Sequence, residues 1–360
     1  MAEPNTITDV FDAATLEWFG ATTFRLRVNG LTLFLDSWLE RPSTIPTYLK
    51  IDEVTECDYI FISHAHFDHL PGANKLALQT GATIVGNGEA ITVMRAAGVP
   101  EAQLIAVSGG ERIPLFTAEA RKKAAAQPPS PPGPPAPGSR PPGPPLPYNS
   151  EAVMSVQVWP SLHCLMVPGE HPEFIDTATS YIEGGDDEEN KYACTIDITR
   201  ALTYGLGALA KLDPPPTKMP DDLKVFLSYL KDSDTNRFSY FDGGQLMYNF
   251  LIGEKTLLWS GHLGGYSGIL QNLEPKPDVA ILGIAGRANL DGRPWQGSAA
   301  EFAVQQVKWL GEPTTVIWCL HDRGPLKPYY IDTKAATEAV QRETASKVID
   351  LECKVAFNLW

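Results

Sequence analysis

Three histidines and an aspartate fall within six residues of this chain, in the run Ser63-His64-Ala65-His66-Phe67-Asp68-His69. No other stretch constrains the fold so strongly. Cys57 to Ser63, just before it, is a short apolar and aromatic run that reads as a strand buried on both faces. Leu70 to Thr80 reads as a helix, with Pro71 tolerated in its first turn and Gly81 as its stop. The cluster therefore belongs to a strand-to-helix turn. His64 and His66 are two apart, so in an extended segment they project to one side and can bind one cation. Asp68 and His69 follow where the chain turns, and can face a second. Neutral imidazole and carboxylate suit zinc, with ligand bonds of ~2.0–2.2 Å; manganese or iron would accept the same mixed donors. The plain alternative is a set of histidines that merely hydrogen-bond, and the density of this cluster behind a buried strand argues against it.

The remaining histidines follow the same rule. Of seven in the chain, six lie at the end of an expected strand or in the loop after one: His64, His66, His69, His163, His262 and His321. His171 alone sits in an irregular stretch. Loops at strand ends are where sites are built on a rigid sheet.

Around these positions the pattern is strand-rich in two blocks, each followed by helices. Thr23 to Val28 and Leu31 to Leu35 flank Asn29-Gly30, a hairpin signal. Strands are expected at Ala82–Gly86, Gln103–Val107, Val153–Trp159, Leu246–Ile252, Lys255–Trp259, Val279–Ile284, Thr314–Leu320 and Lys354–Leu359. Helices are expected at Ala90–Ala97, Asp221–Lys231, Ser298–Trp309 with Ser298 as N-cap, and Thr333–Val348. Each sheet must cover an apolar face, so the economical arrangement is two sheets packed together with helices outside, a four-layer αββα sandwich of the α/β class. Residues 121–149 interrupt it with a proline- and glycine-rich tract. Such a tract cannot bury enough surface to offset its ordering entropy, and it reads as a disordered insertion within one domain spanning residues 1–360.

The net charge of -14 repels phosphate backbones and disfavours nucleic acid as a partner; a small molecule is the expected substrate. The five cysteines are scattered without a C-x-x-C pair, as in reduced intracellular proteins. No apolar run approaches the ~20 residues of a transmembrane segment. The first dozen residues lack a basic-then-apolar leader. The expected location is the cytoplasm.

The H-x-H-x-D-H run after a strand resembles the signature of the metallo-β-lactamase fold superfamily. Glu17-Trp18-Phe19-Gly20-Ala21-Thr22-Thr23-Phe24, Phe34-Leu35-Asp36 and Leu257-Leu258-Trp259-Ser260-Gly261 are similar to its L-ascorbate-6-phosphate lactonase-like and N-acylphosphatidylethanolamine phospholipase D-containing branch. The resemblance implies a four-layer fold of two mixed sheets, with His64, His66 and His163 on a first metal and Asp68, His69 and His321 on a second. It implies two divalent ions, zinc by preference, and a hydrolase in which a metal-activated hydroxide attacks a carbonyl or phosphoryl centre. Asp68 would bind the second metal and orient the nucleophile. The expected reaction is opening of a cyclic ester or amide, of lactonase or lactamase type. A phosphodiesterase on a small molecule or phospholipid headgroup, and a non-catalytic metal-binding module, are the alternatives.

This chain departs from the family pattern at Ser260-Gly261-His262, where a bridging aspartate is usual; His262 would bind one ion or only line the pocket. It also carries Ala21 where relatives often have histidine. Asp36 and Asp322 are candidate hydrogen-bond partners of ligand histidines. Arg287 and Arg323 are candidate contacts for an anionic substrate group. Trp38, Tyr204 and Tyr240 are candidate pocket walls.

Overall fold

Burial alternates along Phe24–Val28 and is continuous along Leu31–Leu35, so the first hairpin brings a one-sided strand beside one covered on both faces. Asn29 and Gly30 join them, both with positive φ, at 50° and 73°, as a two-residue hairpin turn requires. The computed structural model describes residues 14–128, 134, 145–169, 172–182, 196–213 and 218–360.

Two seven-stranded sheets follow from such pairings. The first holds β1 (Thr15–Trp18), β2 (Phe24–Val28), β3 (Leu31–Leu35), β4 (Tyr59–Phe61), β5 (Thr83–Gly86) and β6 (Leu104–Ala106) in chain order. The second holds β7 (Arg112–Leu115), β8 (Met154–Pro160), β9 (Leu246–Ile252), β10 (Lys255–Ser260), β11 (Val279–Gly283), β12 (Thr315–Cys319) and β13 (Lys347–Ile349), again as successive neighbours. The last strand, β14 (Phe357–Asn358), returns to pair with β1. In each sheet the early strands pair antiparallel and the last four pair in parallel.

Three layers of apolar contact hold the sheets and helices together. Between the sheets, Phe61 meets Tyr248 and Phe250 edge-on at 5.2 and 5.0 Å, and Tyr248 stacks on Trp259 at 5.6 Å. Burial of each such ring contributes about 1.5–3 kcal/mol, and the ring geometry adds to it. Outside the first sheet, Phe34, Ile60 and Ile84 pack with α1 (Ala73–Thr80) and α2 (Gly88–Ala96). Outside the second, Leu258, Ala280 and Val316 pack with α5 (Ala299–Trp309) and α6 (Lys334–Glu343). The result is the αββα order expected from the two blocks. Of the remaining helices, α3 covers Ala118–Ala125 and α4 Asp221–Lys231. Ser298 caps α5 in a reciprocal pair with Glu301. Among the described residues no helix is long and apolar enough to cross a membrane.

Three expectations need correction. The helix expected over Thr333–Val348 ends at Glu343, and Lys347–Ile349 is a strand. Val340 and Val348 are both buried and eight apart, which a helix would also satisfy, but parallel pairing with β12 decides the conformation. The strand expected over Lys354–Leu359 shrinks to Phe357–Asn358, because Lys354 adopts a φ of 68°. The tract assigned to 121–149 begins inside α3, whose N-cap is Thr117; residues 129–133 and 135–144 lie outside the described residues.

The sheets meet below the histidine run. The Tyr248 hydroxyl donates to the Ile62 carbonyl at 2.7 Å, and the Leu246 amide donates to the Ser63 carbonyl at 2.9 Å. The next loop is tied from the other side, with the Ala65 amide on Asp242 O at 3.1 Å and the Ser239 amide on Ala65 O at 2.7 Å.

Candidate metal centre

Five imidazoles converge at one end of the two sheets. His64, His66 and His69 come from the turn after β4, His163 from the loop after β8, and His262 from the loop after β10. The His64 ring lies 4.5, 4.0, 5.0 and 4.9 Å from those of His66, His69, His163 and His262. His163 and His262 stack at 3.8 Å. All five are buried.

Three of the rings, His64, His69 and His163, are aimed by a neighbour outside the cluster. Asp36, fully buried at the end of β3 with a φ of 49°, accepts at Oδ2 from His69 Nδ1 at 2.6 Å, Thr22 Oγ1 at 2.6 Å and Ser63 Oγ at 2.8 Å. Its Oδ1 accepts from the Ser63 amide at 2.8 Å. A carboxylate only accepts, so Nδ1 of His69 carries the proton and Nε2 faces the cluster. Ser63 Oγ, already donating to Asp36, accepts from His64 Nδ1 at 3.1 Å. That leaves His64 Nε2 2.9 Å from His66 Nδ1. Two nitrogens on one tetrahedral zinc stand about 3.3 Å apart for bonds of ~2.0 Å, close to this spacing. His163 Nδ1 donates to the Cys164 carbonyl at 2.8 Å, which frees its Nε2.

Charge follows the same plan. Burial pushes His64, His66 and His262 well below the ordinary imidazole value, and the neighbouring imidazoles reinforce it. Burial also lowers His163, outweighing its bond to the Cys164 carbonyl. Neutral imidazole is the ligating form. At His69 burial again opposes the charge, yet the carboxylates of Asp68 and Asp36 raise it to about 10. Burial alone would raise Asp68; His69, then His66 and His163, bring it down to about 2. Asp68 Oδ2 stands 3.4 Å from His69 Nε2. The two carboxylates thus stabilise positive charge at this end of the cluster.

Three overlapping groups place their ligand atoms within 4.8 Å of one another: His64, His66 and His163; His64, His69 and His262; and His163, Cys164 and His262. Both ring nitrogens of His262 are buried without a hydrogen-bond partner among the described residues. A buried polar atom left unpaired costs about 1–3 kcal/mol, and a cation would satisfy it where the neighbours are themselves imidazoles. The donors present therefore fit divalent metal ions.

The structure does not bring His321 to this group. Its ring packs on Trp18 at 4.9 Å. Leu320, with a φ of 63° and its amide on the Ala21 carbonyl at 3.0 Å, turns into the cavity wall instead. The turn after β12 thus sets a register one residue off the expected one. Asp322 bonds the Ala21 amide at 2.7 Å and faces Arg41 at 3.8 Å, so of the two carboxylates weighed as histidine partners only Asp36 touches a cluster ring. His171 lies outside the described residues.

A cavity of about 310 Å³ opens onto the cluster, with Asp68, His163 and His262 in its wall. Trp38 and Phe67 also line it, as do Arg323 and Lys327; Arg287, Tyr204 and Tyr240 do not. Phe67 is held by Phe226 of α4 at 5.1 Å. Trp38 Nε1 donates to the hydroxyl of Tyr229, on the same helix, at 3.0 Å. Sequence reasoning passed over Cys164, Ser63 and Thr22. Only the adjacency of Cys164 to His163 offered a signal for the first.

Residues 43–163 match the family model described as the metallo-beta-lactamase superfamily. A UPF0173 metal-dependent hydrolase of Pyrobaculum neutrophilum is 35% identical over 100 residues, 28% of this chain and 44% of that protein. One of Staphylothermus marinus is 36% identical over 91 residues, 24% of this chain and 40% of that protein. The matches thus span less than half the length of these curated relatives. Among solved structures, Igni18, a metallo hydrolase of Ignicoccus hospitalis, covers 97% of this chain and 100% of its own, with a TM-score of 0.52 at 16% identity. The chain has the metallo-β-lactamase fold, and its residues 43–163 match that superfamily's model.

Proposed function

We propose that this protein is a metal-dependent hydrolase that opens a cyclic ester or amide. The observation that carries the reading is the convergence of five buried imidazoles from three distant parts of the chain at the wall of one cavity. His64, His66 and His163 would hold one divalent cation, and Asp68, His69 and His262 a second. The nitrogen-rich donor set favours zinc. The chemistry such a metal pair supplies is a water whose pKa falls towards neutrality and an acceptor for developing negative charge.

The chain's own groups supply the rest. Asp68, ionised at neutral pH and facing the cavity, accepts a hydrogen bond from the attacking water and aligns it. Asp36 and the Cys164 carbonyl hold His69 and His163 in the tautomers that present Nε2. Trp38, Phe67, Leu165, Val167 and Leu320 give the cavity apolar walls, which exclude bulk water and suit an uncharged ring better than a polyanion.

Arg323 and Lys327 in the same lining favour a second reading, hydrolysis of a small phosphodiester. Screening the metal-loaded full chain against lactones, lactams and phosphodiesters tests both. Turnover of a lactone or lactam that His66→Ala abolishes is expected; turnover unaffected by that change would refute the reading. Competitive inhibition by inorganic phosphate would shift it to the phosphodiester.

A further inference from the structure

The donor set just described is short of negative charge. Two divalent cations would face five neutral imidazoles and a single carboxylate, Asp68, because position 262 is an imidazole. A thiol, which becomes an anionic donor when it binds a cation, lies beside it. Cys164 Sγ groups with ligand nitrogens of His163 and His262 within 4.8 Å.

We propose that Cys164 is a metal ligand, whose thiolate supplies beside His262 the anionic donor that His262 cannot. The inference rests on the proposed metal centre and adds a residue to it. His262 points to the same place independently, since both its nitrogens are buried and unpartnered among the described residues. The thiol is buried in the wall of the same cavity as Asp68. Gly286 holds it from behind, for a Cβ there would stand 2.7 Å from Sγ. The other described cysteines have different surroundings. Cys57 donates to the Tyr59 carbonyl, Cys319 packs among apolar side chains between the sheets, and Cys353 is half-buried near the chain's end. On binding, the S–H bond breaks, the sulfur pair forms the bond to the cation, and the proton leaves to solvent.

Cobalt(II) loading of the full chain tests this, since thiolate-to-cobalt charge transfer gives a near-ultraviolet band that imidazole and carboxylate ligation do not. The wild-type protein should bind cobalt and show the band. Cys164→Ala should lose the band and weaken one cobalt site at least tenfold, while Cys353→Ser keeps both. Cobalt bound without the band, or a band that survives in Cys164→Ala, overturns the inference and leaves the metal centre standing. If the wild type binds no cobalt, both fall. The wild-type spectrum decides the matter even if the alanine variant folds poorly.

Discussion

Replacing Asp36 by asparagine should weaken one metal site and leave the other intact. The carboxylate accepts four hydrogen bonds, three of them at Oδ2. In Asp36→Asn the carbonyl can keep the Ser63 amide, which puts the amide nitrogen where Oδ2 stood. Thr22 and Ser63 can adapt, because a hydroxyl rotates and accepts as readily as it donates. His69 cannot rotate away from its partner in so closed a site; facing an N–H donor, its Nδ1 must give up the proton and Nε2 must take it. The lone pair aimed into the cluster is then lost. Removing such an orienting partner lowers metal affinity by about 10–100-fold, or about 1.4–2.8 kcal/mol. Zinc titration against a chromophoric chelator should show that loss at one site, with the site of His64, His66 and His163 as internal control. Equal affinity of both sites in the variant and the wild type would refute the tautomer argument.

Three further outcomes are expected. His321→Ala should leave metal stoichiometry unchanged and cost about 0.5–1.5 kcal/mol from the lost ring contact with Trp18; elemental analysis showing a missing ion would contradict the observed register. Stripping metal with a chelator should lower the melting temperature, because a cation at a hundred times its Kd stabilises the fold by about 2.7 kcal/mol; an unchanged melting curve after verified removal would count against a built site. Burial would raise Glu17 above its ordinary 4.5, but Arg25 and Arg27 hold it below that value. A carboxylate depressed by folding stabilises above its unfolded pKa, and the effect is lost as pH falls through the folded one. Urea midpoints should therefore show Glu17→Gln costing stability at pH 7 and little below the folded pKa; a cost independent of pH would contradict this.

Much of the fold was legible because local chemistry and tertiary demand agree. Asn29-Gly30 can make a tight hairpin turn, and Gly81 stops α1 with a φ of 76°. The position of the six-residue histidine and aspartate run between β4 and α1 was legible for the same reason, since strand, turn and helix each leave a pattern. The misreadings fall where tertiary contact decides. Leu320 adopts a left-handed conformation that leucine does not favour, held by the Ala21 carbonyl 299 positions earlier, and this sends His321 to Trp18. Lys347–Ile349 is a strand because β12 offers it an edge. Cys164 gave no pattern of its own, and only the fold sets its sulfur beside His262.

The five imidazoles belong to different halves of the molecule, with His64, His66 and His69 on the first sheet and His163 and His262 on the second. A shared ion would act as a rivet across the sandwich, and its grip would report how the halves sit against one another. Coordination tolerates misplacement of only about 0.5 Å. Trimming Phe61 or Phe250, buried between the sheets and touching no ligand, would let the halves slip and blunt the cation's hold well before the chain unfolds.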